Sequence, residues 1–290
     1  IKISKVQKAL YDPSLSEGLR CERNKLRKIK IEGIDDLVSI TGIKLPKEII
    51  VITNQLICIN YDVLGLIFWQ LNRLEELNES SRRDSHGRYL SDSSLAVKFK
   101  FLHRPIVDEW VEVLTNLVKI NWPNIYTIES EFKAEVSHDI DVLFKYHGLQ
   151  LDLLFRQGVG DLVKRRNLGM FMKRLTEWLI VKNKGVKSDP FFNLENIMDI
   201  SDVHGISSTF YFMVNRSNEL YDGKIYINEP CFVALIEEII DRGHKIGLHP
   251  SYETFNDHNL LGYERSVLQE VISKVDSNYD LNCVRMHYLR

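Results

Sequence analysis

The sequence predicts an α/β protein in two parts: a small mixed α/β domain over residues 1–123, and a second domain over 124–290 in which strands and helices alternate. Three observations carry that prediction. The chain has 290 residues, 44% hydrophobic and 27% charged, proportions ordinary for a folded protein, and its length fits about two domains of roughly 100–200 residues each. The apolar rhythm changes at Asn121-Trp122-Pro123-Asn124 from a mixed pattern to a repeating one. Beyond that point the order β, α, β, α, β, α, β implies parallel strands joined by right-handed crossovers, hence a doubly wound sheet or part of an α/β barrel.

In the first part, Glu48 to Thr53 and Gln55 to Asn60 read as short strands, followed by a helical pattern from Val63 to Leu77. The polar stretch from Asn78 to Ser94 breaks the periodicity and reads as a loop. From Ile106 to Ile120, Val107, Trp110, Val111, Leu114 and Val118 return at helical spacing. In the second part, a strand from Phe132 to His138 leads into His138-Asp139-Ile140-Asp141, and a long helical insertion is expected from Val142 to Lys184. A helix over Asn193 to His204 stops at Gly205, a residue suited to the left-handed position past a helix end. Ser207 to Val214 is the next strand. Pro230 opens a helix whose apolar face is Phe232, Leu235, Ile236, Ile239 and Ile240, with Gly243 closing it. A strand from His244 to Leu248, a helix from Tyr263 to Val275 and a last strand from Asn282 to Tyr288 complete the reading.

Composition narrows the function. With 38 Lys and Arg against 40 Asp and Glu, the net charge is −2, so the protein is not expected to bind nucleic acid through a strongly basic surface. The longest apolar run, Val63 to Trp69, falls far short of the roughly 20 residues that span a bilayer, so no membrane span is expected. Cys21, Cys58, Cys231 and Cys283 form no Cys-x-x-Cys pair, and reduced, mostly buried thiols are expected. Lys164-Arg165-Arg166 with Lys173-Arg174 reads either as a solvated helix face or as a contact for an anionic glycan.

The most chemical residues lie where the strands end, which in both candidate architectures is where sites assemble. Asp139 and Asp141 flank one residue, so in a strand both carboxylates project to one face. Left alone they repel, and the pair is either a turn or capping device or a site for a divalent ion, with one carboxylate as ligand and the other as base. His249, after Gly247-Leu248, supplies the commonest type of metal ligand. Glu253 shares a face with His249 if the chain turns helically after Pro250, which makes it a candidate third ligand. His244 and His258 read as structural.

Together, His138-Asp139-Ile140-Asp141, Gly205-Ile206-Ser207-Ser208-Thr209-Phe210-Tyr211-Phe212, Gly243-His244-Lys245-Ile246-Gly247-Leu248-His249 and Arg285-Met286-His287-Tyr288 resemble the polysaccharide deacetylase domain (NodB homology, carbohydrate esterase family four). The resemblance covers roughly residues 134–290. It implies a deformed (β/α) barrel, here only in part, holding zinc or a similar divalent ion and removing acetyl groups from a bacterial polysaccharide or other glycan. Asp139 resembles the family's catalytic base, Asp141 its metal-binding aspartate, His249 the first histidine of the His-Ser/Thr-x-x-His motif, and Arg285 the arginine that steadies the base. Three positions depart from the pattern: Pro250 replaces Ser or Thr, Glu253 stands in place of the second metal histidine, and His287 replaces the proline of Arg-x-Pro-Tyr, where it is a candidate substitute ligand. Tyr211, Tyr252 and Tyr288 are either sugar-stacking residues or core. The first part is similar to an uncharacterised domain that often precedes such deacetylase-like domains in bacteria, through Gly87-Arg88-Tyr89 to Ser94-Leu95-Ala96 and Arg104-Pro105-Ile106-Val107-Asp108. The family's late motifs, with a histidine serving as general acid, fall beyond Arg290, and the chain opens on Ile1 without Met, so it is expected to be cut at both ends. The sequence leaves the compartment open between the cytoplasm and the cell envelope of a bacterium. The competing expectation is a catalytically inactive carbohydrate-binding or scaffold protein on the same fold.

Overall fold

A computed structural model of the chain describes residues 1–4, 6–26, 30–54, 56–78, 81–126 and 131–289. It is a mixed α/β protein whose described residues contain three sheets, none closed into a barrel. The chain divides into two compact units, Ile1–Glu131 and Phe132–Arg290. Trp110 belongs to the core of the first, and Trp178 to a small cluster within the second.

The first unit starts with a short strand β1 (Lys2–Ile3), then β2 (Arg20–Lys25) and β3 (Asp36–Thr41), which form an antiparallel pair absent from the sequence reading. The polar composition of β2 hides it. β4 (Ile50–Ile52) pairs antiparallel with β5 (Ile57–Ile59), and β1 adds to β5 in parallel. Both strands are shorter than the sequence predicts, and Gln55 lies outside the described residues. Helix α1 (Val63–Leu71) is capped by Asp62, whose carboxylate accepts from the Gly65 amide at 3.0 Å. It ends earlier than the apolar spacing predicts. Asn72 turns its side-chain amide back onto the Phe68 carbonyl at 2.8 Å, and Arg73 adopts a left-handed φ of 51°, after which Leu74–Leu77 forms only a 3-10 turn. Within the polar stretch, whose Glu79 and Ser80 lie outside the described residues, Ser91–Ser93 forms another such turn. After the short α2 (Leu95–Lys98), helix α3 (Ile106–Asn121) buries Ile106, Trp110, Val113 and Leu117 on one stripe. Leu37, Val38 and Ile40 of β3 share the same core, and the Trp110 indole donates to the Val38 carbonyl at 2.9 Å.

The second unit is built on three parallel strands in the order β6 (Val136–Ile140), β7 (Ser208–Phe212), β8 (Lys245–Leu248). Its register pairs Asp139 with Tyr211 and Tyr211 with Gly247. Alternation then sorts the two faces. Phe210, Phe212, Ile246 and Leu248 enter a core shared with residues of α6 (Leu194–Val203), α7 (Pro230–Asp241) and α8 (His258–Ser273), while Asp139, Tyr211 and Gly247 occupy the other face.

Two expectations need correction here. The stretch from Val142 to Lys184 is not one helical insertion but a loop followed by two helices, α4 (Leu151–Val163) and α5 (Leu168–Lys184). The buried carboxylate of Asp189 accepts from the amides of Lys145, Tyr146 and His147 at 2.8, 2.7 and 3.0 Å, satisfying donors that a helix would have used. Asn167 caps α5 through the Met170 amide at 3.0 Å. Second, Asn282 to Tyr288 is not a strand. One parallel bridge joins Leu248 to Val284, and the chain then turns through His287–Leu289 with Tyr288 at φ 59°. That turn carries His287 inward.

Candidate metal centre

Asp141 follows β6, His249 follows β8, and His287 sits on the terminal turn. Their ligand atoms converge: Asp141 Oδ1 lies 3.0 Å from His249 Nε2 and 3.7 Å from His287 Nδ1, and the two ring nitrogens are 2.8 Å apart. Both rings are buried, His249 at 2% exposure and His287 at 8%. Their outer nitrogens face backbone carbonyls, His249 Nδ1 at 2.7 Å from the Arg285 oxygen and His287 Nε2 at 2.9 Å from the Tyr221 oxygen.

Those outer contacts decide what the inner atoms are. A carbonyl only accepts, so each outer nitrogen carries the proton, and a neutral ring then presents a lone pair at its inner nitrogen. Two such lone pairs at 2.8 Å, with a carboxylate oxygen beside them, can share one proton or one cation. A backbone carbonyl holding the far N–H is also the support that metal-binding histidines use to fix tautomer and ring direction. The residues present therefore fit a divalent ion, with a nitrogen, nitrogen and oxygen donor set suited to zinc.

Where a proton takes that inner position, His249 is an imidazolium that donates through Nε2 to Asp141. The hydrogen bond from His249 holds the Asp141 carboxyl below its usual range against the opposing effect of burial, helped by the charges of both histidines. Burial lowers the His249 pKa, but the Asp141 hydrogen bond, the Arg285 carbonyl and the Asp139 charge outweigh it, leaving the ring above the usual histidine value.

Asp139 stands beside this cluster on the open face of β6. Its Oδ1 accepts from Arg285 Nη1 at 3.2 Å, and Arg285 Nη2 donates to Ser137 Oγ at 2.6 Å. The guanidinium also lies over the Tyr211 ring, 4.7 Å from its centroid. Arg285 thus orients His249 through its backbone and Asp139 through its side chain. His138 points to the opposite face, stacked on Phe210 at 5.1 Å, with its pKa lowered by burial and by Arg285.

Glu253 is not brought to the centre. Ser251 is extended at φ −64°, ψ 164°, so the helical spacing that would align Glu253 with His249 is never formed. The exposed Glu253 carboxylate instead accepts from Asn218 Nδ2 at 3.0 Å. Of the three tyrosines, Tyr252 is buried, with its ring centroid 4.4 Å from that of Tyr221. Tyr288 stands edge-on to His287 at 4.7 Å, and Tyr211 is half-buried beneath Arg285. The basic stretch on α4 and α5 is partly consumed internally, because Arg165 and Arg174 pair with the buried Asp161 at 2.7 and 2.8 Å. All four cysteines are free and half-buried rather than fully buried.

The groups that hold the site in place lie outside the motifs visible in the sequence. Buried Asp222 accepts from the amides of Tyr252 and Asn218, both at 2.8 Å, and lies 3.9 Å from His287 Nε2. A Cβ on Gly223 would collide with the Asp141 carbonyl. Fully buried Glu264 accepts from the Ser251 amide at 2.9 Å and from its hydroxyl, fixing the chain just past His249. Asp222 and Gly223 belong to no motif in the sequence, and Glu264 falls inside the expected helix from Tyr263 to Val275 with nothing to mark it.

No helix among the described residues is long and apolar enough to cross a membrane. Residues 12–123 match a family of unknown function (DUF7033), a match that lies within the first unit and does not include Asp141, His249 or His287. No curated protein and no solved structure matches the chain.

Proposed function

We propose that the second unit is a metal-dependent hydrolase of the polysaccharide deacetylase type, acting on an acetylated glycan, and that strands β6–β8 belong to a deformed barrel of the NodB kind. The observation that carries this reading is the convergence of Asp141, His249 and His287 beside an Asp139 that takes no part in the cluster. A second carboxylate adjacent to a dication site, held by an arginine, is the equipment for hydrolysis of an amide or ester by water.

Asp141, His249 and His287 would hold the ion, zinc by its donor set. Bound there, it supplies Lewis acidity to a water molecule and to the acyl carbonyl. Asp139 takes the proton from the attacking water as the water oxygen bonds to the acetyl carbon, and returns it to the leaving nitrogen or oxygen as the C–N or C–O bond breaks. Arg285 keeps the Asp139 carboxylate in position throughout. The Tyr211 ring beneath Arg285 and the half-buried Tyr288 are the aromatic groups available to a sugar, whereas Tyr252 serves as packing.

Acetate release from an N-acetylated oligosaccharide by the zinc-loaded chain tests the proposal. Asp139→Asn should keep the ion and lower the rate by about a hundredfold to ten-thousandfold. Zinc binding without acetate release would transfer the chemistry to another amide or ester. Failure of both would favour a carbohydrate-binding or scaffold protein.

A further inference from the structure

A second group of potential ligands lies elsewhere in the same unit and shares no residue with the first: His147, Glu229 and Cys231, whose ligand atoms all fall within 4.8 Å of one another. We propose that these three side chains form a second, thiolate-containing site for a zinc-class dication, with its remaining coordination position open to the adjoining cavity. The inference is independent of the deacetylase reading.

His147 is held in place without any ligand. Asp189 fixes its amide, Tyr226 donates to its carbonyl at 3.4 Å, and the Phe144 and Tyr226 rings brace the imidazole at 4.9 and 6.1 Å. Glu229 and Cys231 flank Pro230 at the start of α7, where Glu229 occupies the capping position yet its side chain makes no capping bond. His147 Nε2 lies 3.8 Å from Glu229 Oε2. That is too long for a hydrogen bond, and close to the spacing of about 3.4 Å that two tetrahedral zinc ligands adopt at bond lengths of about 2.1 Å.

The donor set determines the metal. One imidazole, one carboxylate and one thiolate suit zinc and its soft-to-borderline neighbours rather than magnesium or calcium, which take oxygen. The carboxylate and thiolate together neutralise a dication. All three residues line a cavity of about 660 Å³ that is also bounded by Tyr146, Trp178 and Lys182. Three protein ligands facing such a space leave a fourth position for water or a small anionic ligand.

Cobalt(II) distinguishes the two sites, because only this one contains sulfur. The full chain titrated with cobalt should take up two equivalents and develop a thiolate-to-cobalt charge-transfer band in the near ultraviolet. Cys231→Ser should abolish the band and one equivalent while sparing the other; His249→Ala should remove an equivalent and leave the band. His147→Ala should weaken the band-forming step at least tenfold. Zinc-edge X-ray absorption of the wild-type chain, which depends on no variant folding, should show a zinc–sulfur shell. Absence of the band and of that shell from folded wild-type protein loaded with excess metal would overturn the proposal, as would a band that persists in Cys231→Ser.

Discussion

Four buried polar groups of the first unit contrast with two buried histidines of the second. In the first, Asp62 gives its oxygens to the Gly65 and Gln7 amides at 3.0 and 2.7 Å, Tyr61 donates to the Ile40 carbonyl at 2.7 Å, Thr41 donates to Gln7 at 2.8 Å, and Trp110 donates to Val38. These bonds close on the fold itself. In the second unit Asp189 and Glu264 behave in the same way, but His249 and His287 are closed on one side only, by backbone carbonyls, and turn their remaining nitrogens on each other. A buried polar group satisfied on every side is scaffold. One whose neighbour offers the same polarity is a candidate for sharing a proton or a cation.

That contrast can be broken from either side. The largest effect is expected from Asp141→Ala or His249→Ala, which should abolish zinc uptake at the first site in calorimetric titration. Next, Trp110→Ala in the first unit removes a fully buried ring and its hydrogen bond. It should cost about 3–5 kcal/mol of stability, read by denaturant unfolding, while zinc affinity at the Asp141 centre stays unchanged. A smaller effect should follow Gly223→Ala, since the added methyl must displace the Asp141 backbone. A loss of about tenfold to a hundredfold in zinc affinity is expected, comparable to removing an outer support of a metal site.

Acidity separates scaffold from site more finely. In the metal-free protein the raised His249 pKa means that its pairing stabilises the fold below the ordinary histidine value, and that this contribution is lost as pH rises through the raised value. The lowered Asp141 pKa means that its contribution is present above the ordinary carboxylate range and is lost as pH falls through the lowered value. The pair therefore supports the metal-free fold most between those two limits. Zinc demands neutral rings, so its affinity should move the other way, rising as pH climbs through the His249 range. Thermal melts with and without zinc across that range should diverge; parallel curves would count against ion binding by these residues.

Much of this was legible in the sequence because it depends on local pattern. The strand–helix rhythm after Pro123 follows from side-chain alternation and helical spacing, and the chemical residues at Asp139, Asp141 and His249 stand where parallel strands end. The alignment of Glu253 with His249 requires helical geometry directly after Pro250, where the chain is extended at Ser251. The choice of His287 over Glu253 depends on the left-handed turn at Tyr288, which spacing does not encode. Asp189, Asp222 and Glu264 are invisible in the sequence because they accept from the amides of Tyr146, Tyr252 and Ser251, 43, 30 and 13 residues away along the chain, which no local motif links to them. The antiparallel pairing of β2 with β3 is not visible in the sequence because β2, Arg20–Lys25, is almost wholly polar.

Asp141, His249 and His287 are proposed to share one dication. Crystals of the wild-type chain grown with zinc, with data collected on both sides of the zinc absorption edge, test it most directly. An anomalous peak is expected among Asp141 Oδ1, His249 Nε2 and His287 Nδ1, with both outer nitrogens still on the Arg285 and Tyr221 carbonyls. An ordered triad with no anomalous density, its two rings joined by a hydrogen bond, would contradict it.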